Sequence, residues 1–275
     1  MKRVYTWAAR PSERTVTVAS LRQGKGSRKW TQVTANSEEE AVAADEAGID
    51  MIICNSLNAE RVRSANTKQF MTAALGITHF PTESDIIREA FRVLDLGADA
   101  VMTARSTDIV RALAKEDIPV MGHLGLVPRK STWTDGLRAI GKTGREAFEL
   151  YRKFKRLEEA GGVLVEAEVI PGPVMAEISK RSGLITVSLG SGSGGDVDYL
   201  FMEDICGDSE NPPRHARAFG NLAALREKMH LERVNALRSF RAAAEGGKFP
   251  GKAETPDLEP EELDRFMELL ERKDG

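Results

Sequence analysis

Two hydrophobic periods alternate along this chain. Stretches with apolar residues at helical spacing end in a small residue plus glycine, and a short, nearly continuous apolar run follows. Glu46-Ala47-Gly48 leads into Ile49-Asp50-Met51-Ile52-Ile53-Cys54, Leu96-Gly97-Ala98-Asp99 into Ala100-Val101-Met102-Thr103, and Ala160-Gly161-Gly162 into residues 163–168. Glycine supplies the left-handed conformation that stops a helix. Short apolar strands are what a parallel sheet covered by helices needs. Further strands are expected at 29–34, 71–77, 118–122 and 185–189. Helices are expected from Ser37, over 84–96 and 143–160, and near the end over about 221–244 and 261–271. Spacing between the units is irregular, which excludes a solenoid. Alternating strand and helix signals predict an α/β fold. No composition shift marks a domain boundary, so residues 1–275 read as one barrel domain with a polar, peripheral segment over 252–275.

Length and charge narrow the class. A chain of 275 residues is ordinary for a single α/β barrel. Apolar residues at 41% and charged residues at 29% exclude a disordered or disulfide-scaffold chain. Basic and acidic residues nearly cancel, 39 against 42, so no single-sign field points to nucleic acid. No apolar run is long enough to span a bilayer, and the N-terminal stretch lacks the apolar core of a secretory signal. Cys54 and Cys206 form neither a disulfide framework nor a zinc motif. A cytoplasmic protein acting on a small molecule is the expectation.

Function in a parallel barrel gathers at the C-terminal ends of the strands. The polar residues expected there are Asn55-Ser56, Thr103-Ala104-Arg105, His123 in a βα loop, Glu166 with Glu168, and the glycine-serine run over 190–196. Two residues apart on a strand, Glu166 and Glu168 share a face, and Glu168 lies nearer the strand end. A partly buried carboxylate there can serve as a general base; the alternative is a salt bridge to a nearby basic residue. His123 can orient or donate to an anionic substrate, or be satisfied by backbone hydrogen bonds. The glycine-serine run can wrap an anion or form a flexible loop; it lacks a P-loop lysine. His79, His215 and His230 have no metal-ligand spacing.

The stretch 119–128, PVMGHLGLVP, resembles ketopantoate hydroxymethyltransferases. Residues 165–171, VEAEVIP, resemble the strand ending in that family's catalytic glutamate. The likeness extends over about 15–255, including 190–196 with Met202-Glu203-Asp204 as a last barrel unit, and Phe249-Pro250-Gly251. The resemblance implies a single (βα)8 TIM-type barrel, here with extra C-terminal helices. It also implies a 2-oxo acid substrate, methylenetetrahydrofolate, Mg²⁺ and a homo-oligomer. By position, Glu168 matches the general base, Ser56 a substrate contact, and His123 lies in the matching loop. Asn55 stands where the family has an aspartate. Its other metal carboxylates fall at Ala74 and Ala104, so no metal ligand is carried over. Arg105 and His123 are the candidates to hold developing charge instead. The expected activity is proton abstraction with C–C bond formation or cleavage on a 2-oxo acid or related carbonyl compound. A lyase on a different carboxylic acid and a non-catalytic ligand-binding barrel are the alternatives.

Overall fold

The computed structural model describes residues 2–65 and 67–272. An antiparallel hairpin of β1 (Lys2–Tyr5) and β2 (Pro11–Arg14) precedes eight parallel strands. These are β3 (Trp30–Thr34), β4 (Met51–Asn55), β5 (Phe70–Ala74), β6 (Ala100–Met102), β7 (Val120–Gly125), β8 (Leu164–Glu168), β9 (Ile185–Leu189) and β10 (Val197–Leu200). Each pairs with the next, and β10 closes onto β3 to complete the barrel. The helices are α1 (Val18–Gly24), α2 (Glu38–Glu46), α3 (Ala59–Ser64), α4 (Glu83–Asp95), α5 (Thr107–Ala114), α6 (Gly144–Glu159), α7 (Gly172–Arg181), α8 (Met202–Cys206), α9 (Leu222–Glu245) and α10 (Pro260–Glu271). Helices α2 to α7 fill the strand connections in turn, whereas loop 190–196 alone joins β9 to β10.

Alternation along each strand divides the core into two layers. Met51, Ile53, Phe70, Ala100, Met121, Leu164, Val187 and Tyr199 pack inside the barrel. Ile52, Cys54, Met71, Ala73, Val101, Val120 and Val165 face the helices, against Val93, Leu113, Phe154 and Ile178. Burial on both faces is why these strands read as continuous apolar runs. Helices start on side-chain caps: Ser37 accepts from the Glu40 N–H, Thr143 from the Glu146 N–H, and Thr82 and Asp85 cap each other's backbone. Each cap contributes about 1 kcal/mol. Helix stops follow the glycine pattern, with Gly48 at φ +73° and Gly161 at φ +89°.

Two aspartate hubs, Asp99 half-buried and Asp196 buried, fasten the N-terminal ends of the strands. Asp99, just before β6, accepts from Arg14 Nε at 2.8 Å, Arg63 Nη2 at 3.2 Å and the Met71 N–H at 2.9 Å, tying the hairpin to the barrel. Asp196, just before β10, accepts from Lys25 Nζ at 2.7 Å, the Gly26 N–H, and both the N–H and hydroxyl of Thr186.

Residues up to Gly220 form one compact unit and those from Asn221 a second. The second holds α9, the cis Phe249–Pro250 bond and α10; Phe249 meets Phe240 edge-on at 5.3 Å.

Several expectations move. The strand expected over 118–122 continues to Gly125, so His123 sits on β7 and not in a loop. The strand expected over 71–77 is Phe70–Ala74. The glycine-serine run is tied down: the fully buried Ser191 donates to the Ala167 carbonyl and accepts from the Ile170 N–H, and Ser188 donates to the Gly192 carbonyl.

Candidate active site

Strands β7 and β8 lie side by side at the barrel mouth, with His123 level with Glu166 and Gly125 level with Glu168. The two glutamates share the inward face, as their spacing requires. His123 Nε2 lies 2.8 Å from Glu168 Oε2 and 3.0 Å from the Leu126 carbonyl oxygen. Both partners are acceptors, so Nε2 carries the proton. Glu166 Oε1 is 3.7 Å from the same nitrogen. The backbone fixes this arrangement: the Leu126 N–H donates to the Glu168 carbonyl at 2.8 Å. Gly125, at φ +91°, leaves room for that contact. Val169, directly after Glu168, is held at φ +48°, a left-handed conformation disfavoured for a β-branched residue. Its N–H donates to Leu189 and its carbonyl accepts from Ile140. Strain of this kind concentrates at functional sites.

Electrostatics follow from burial and pairing. Burial works against a charged His123, but the hydrogen bond to Glu168 and the charges of Glu166 and Glu168 outweigh it, so the imidazole pKa is raised. For Glu166, burial and then the Glu168 charge, opposed by His123, raise the carboxyl above its ordinary range. Among the described residues Glu166 has no hydrogen-bond partner, and it lines a cavity of about 240 Å³ at the mouth. Thr34, Asn36, Asn55, Ala74, Met102, Tyr199 and Phe201 line it too.

The other sequence candidates are dispersed. Asn55 is at the cavity, its Oδ1 accepting from the Leu57 N–H and its amide NH₂ without a partner among the described residues. Ser56 is fully buried, its carbonyl accepting from Arg92, and does not line that cavity. The Arg105 guanidinium is used on the carbonyls of Ile77, Phe80 and Pro81, bracing the loop after β5. Tyr199 was not singled out from the sequence. No strand is expected from the sequence over 197–200, and it is the closure of β10 onto β3 that brings this residue to the mouth cavity with Glu166.

Mg²⁺ does not fit where the resemblance would place it. Asn55 offers only an amide oxygen already engaged by an N–H, and Ala74 and Ala104 offer no ligand. His123, Glu166 and Glu168 each point one ligand atom to within 4.8 Å of the others, a separate donor set that could hold a divalent cation.

Known proteins share this pattern. The family model for ketopantoate hydroxymethyltransferase matches residues 56–252. The 3-methyl-2-oxobutanoate hydroxymethyltransferase of Pyrobaculum islandicum is 30% identical over 233 residues, covering 76% of this chain and 88% of that protein. That of Pyrococcus furiosus is 29% identical over 286 residues, covering 94% and 99%. Among solved structures, a putative phosphonomutase from Burkholderia cenocepacia J2315 is similar in fold, with TM-score 0.52 at 11% identity, over 84% of this chain and 98% of that one. With most of its length matched by the family model and by these relatives, the chain belongs to the ketopantoate hydroxymethyltransferase family.

Proposed function

We propose that this chain is an enzyme that removes a proton beside the carbonyl of a 2-oxo acid or related carbonyl compound, then makes or breaks a C–C bond at that carbon. Glu168 is the base. The observation that carries this reading is the pairing of Glu168 with the His123 N–H at 2.8 Å, at the C-terminal end of a barrel strand. That bond holds Oε2 and leaves Oε1 without a partner among the described residues. The proton passes from the substrate carbon to Glu168, and the electron pair moves onto the carbonyl oxygen as an enolate. The enolate carbon then attacks a one-carbon electrophile, or in reverse releases one. His123 is a positioning residue that orients the carboxylate. Asn55 presents its amide NH₂ to the substrate, while Ser56 and Arg105 support the rim.

We also propose that the chain forms a homo-oligomer, as the resemblance implies. The exposed Leu225, Met229, Leu237 and Phe240 of α9, with Leu263, Phe266 and Leu270 of α10, are suited to such contacts. Light scattering reads the mass. No helix among the described residues is long and apolar enough to cross a membrane.

Proton NMR in D₂O tests the chemistry. The enzyme is incubated with 3-methyl-2-oxobutanoate and other 2-oxo acids, with and without methylenetetrahydrofolate, the one-carbon donor the resemblance implies. Loss of the signal beside the carbonyl is expected, slowed roughly 10²-fold or more in Glu168→Gln. Normal exchange by the glutamine variant would make Glu168 structural.

A further inference from the structure

One group at the mouth has no task in the scheme above. Tyr199 is 4% exposed, yet it lines the mouth cavity with Glu166 and Asn55. Its ring is fixed edge-on to Phe201 at 5.5 Å and 89°. Its hydroxyl has no hydrogen-bond partner among the described residues. Buried tyrosine hydroxyls are ordinarily paired. This hydroxyl is open to the cavity that Glu166 and Asn55 also line, and it is a donor that a substrate oxygen can meet there.

The reaction needs such a donor. An enolate concentrates charge on one oxygen, and family members are implied to stabilise it with a cation whose ligand positions here are Asn55, Ala74 and Ala104. We propose that the Tyr199 hydroxyl donates a hydrogen bond to the enolate oxygen of the substrate, doing at this mouth what the missing metal carboxylates cannot arrange. The proposal rests on the proton-abstraction reading and names the group that makes it feasible without Mg²⁺. It favours substrates whose oxygens lie in one plane across the cavity, as in the enolate of a 2-oxo acid. Asn55 is placed to serve as second donor. Burial, followed by the charges of Glu166, Glu203 and Glu168, holds the phenol well above its usual pKa, so it stays a donor.

Tyr199→Phe tests this directly. The variant keeps the ring and removes a hydroxyl that makes no hydrogen bond among the described residues, so the melting temperature should hold or rise. Two readouts are taken on protein treated with EDTA: deuterium exchange of a 2-oxo acid, and calorimetric binding of oxalate, a planar mimic of the enolate. Wild type should exchange and bind without metal. In Tyr199→Phe, kcat for exchange should fall roughly 10²- to 10³-fold, the range for loss of one oxyanion donor, with KM changing far less. Oxalate affinity should fall about tenfold, as for loss of one charge-assisted hydrogen bond. Wild-type kcat and oxalate affinity in the variant would overturn the proposal alone. So would loss of both wild-type activities on EDTA treatment that added metal restores. A wild type that neither exchanges 2-oxo acids nor binds oxalate under any condition would overturn the proton-abstraction reading and this proposal with it.

Discussion

Replacing Gly125 with alanine should damage the protein twice over, once in stability and once in the site. A Cβ at this position would lie 2.2 Å from the Glu168 carbonyl oxygen and 2.9 Å from Ile170 Cγ1. The oxygen is main chain, so no rotamer relieves the overlap; β8 itself must move. At φ +91° the backbone also lies where an L-residue is strained. Left-handed strain costs about 1 to 2 kcal/mol, and overpacking a well-filled site about 1 to 3 kcal/mol, so about 3 kcal/mol in sum is reasonable. For a domain of this size that corresponds to a fall in Tm of roughly 6 to 12 °C. The displaced atoms belong to the residue that carries the base. Shifting Glu168 stretches its 2.8 Å contact with His123, so exchange activity should fall by more than stability alone explains. Gly122→Ala is the control. Its Cβ would meet Leu157 Cδ2 at 2.5 Å, but that is the far end of a side chain, on the helix side of the strand. It should cost stability and spare most of the activity. Urea and thermal denaturation alongside the D₂O assay separate the two effects. A Gly125→Ala protein with wild-type Tm and wild-type exchange would refute the packing argument.

Other consequences can be checked independently. Burial alone would raise the Asp196 pKa, but hydrogen bonds from Lys25 and Thr186 outweigh it and hold it below the ordinary value. The stability Asp196 contributes is therefore complete above the unfolded pKa, about 3.9, and is lost as pH falls through the lower folded value. Asp196→Asn should lose about 3 kcal/mol at neutral pH and show a flatter acid limb in urea titrations; an unchanged acid limb would contradict this. Cys54 is buried, and its thiol is pushed up to about 12 by burial against the opposing charge of Arg63. Iodoacetamide should leave Cys54 unmodified in native protein and label it in urea, as read by mass spectrometry; rapid native labelling would show the barrel wall opening. Calorimetric titration with Mg²⁺ should show no site that depends on Asn55, and tight binding abolished by Asn55→Ala would prove otherwise.

The barrel was legible because its strands are punctuated. Glycine stops such as Gly48 and Gly161 precede apolar runs, and covered strands need no alternation to be recognised. Strand β10 was hidden for the opposite reason. It is four residues long, carries the exposed Asp198, and follows a glycine-serine run that looks like a loop. With β10 unseen, Tyr199 could not be assigned a face. His123 was expected off the strand because Gly122 and Gly125 resemble loop punctuation, whereas each answers a close approach: Leu157 at one, the Glu168 carbonyl at the other. Glu168 could be singled out because period-two spacing fixes its face and Pro171 marks the strand end. The destination of Arg105 was not readable, since the carbonyls it binds lie over twenty residues away in sequence.

The hubs at Asp99 and Asp196 lie at the end of the barrel away from His123 and Glu168. What keeps the container closed is therefore separate from what it does to its contents. A lineage can exchange carboxylates for Asn55 and Ala74 at the rim without loosening the fasteners beneath, and can bring in a phenol from β10 by changing one inward position. Catalytic drift in such a protein leaves folding almost untouched. Relatives with different mouth chemistry should then show similar unfolding behaviour, and sequence identity spread evenly over the barrel would be a poor guide to what each one makes.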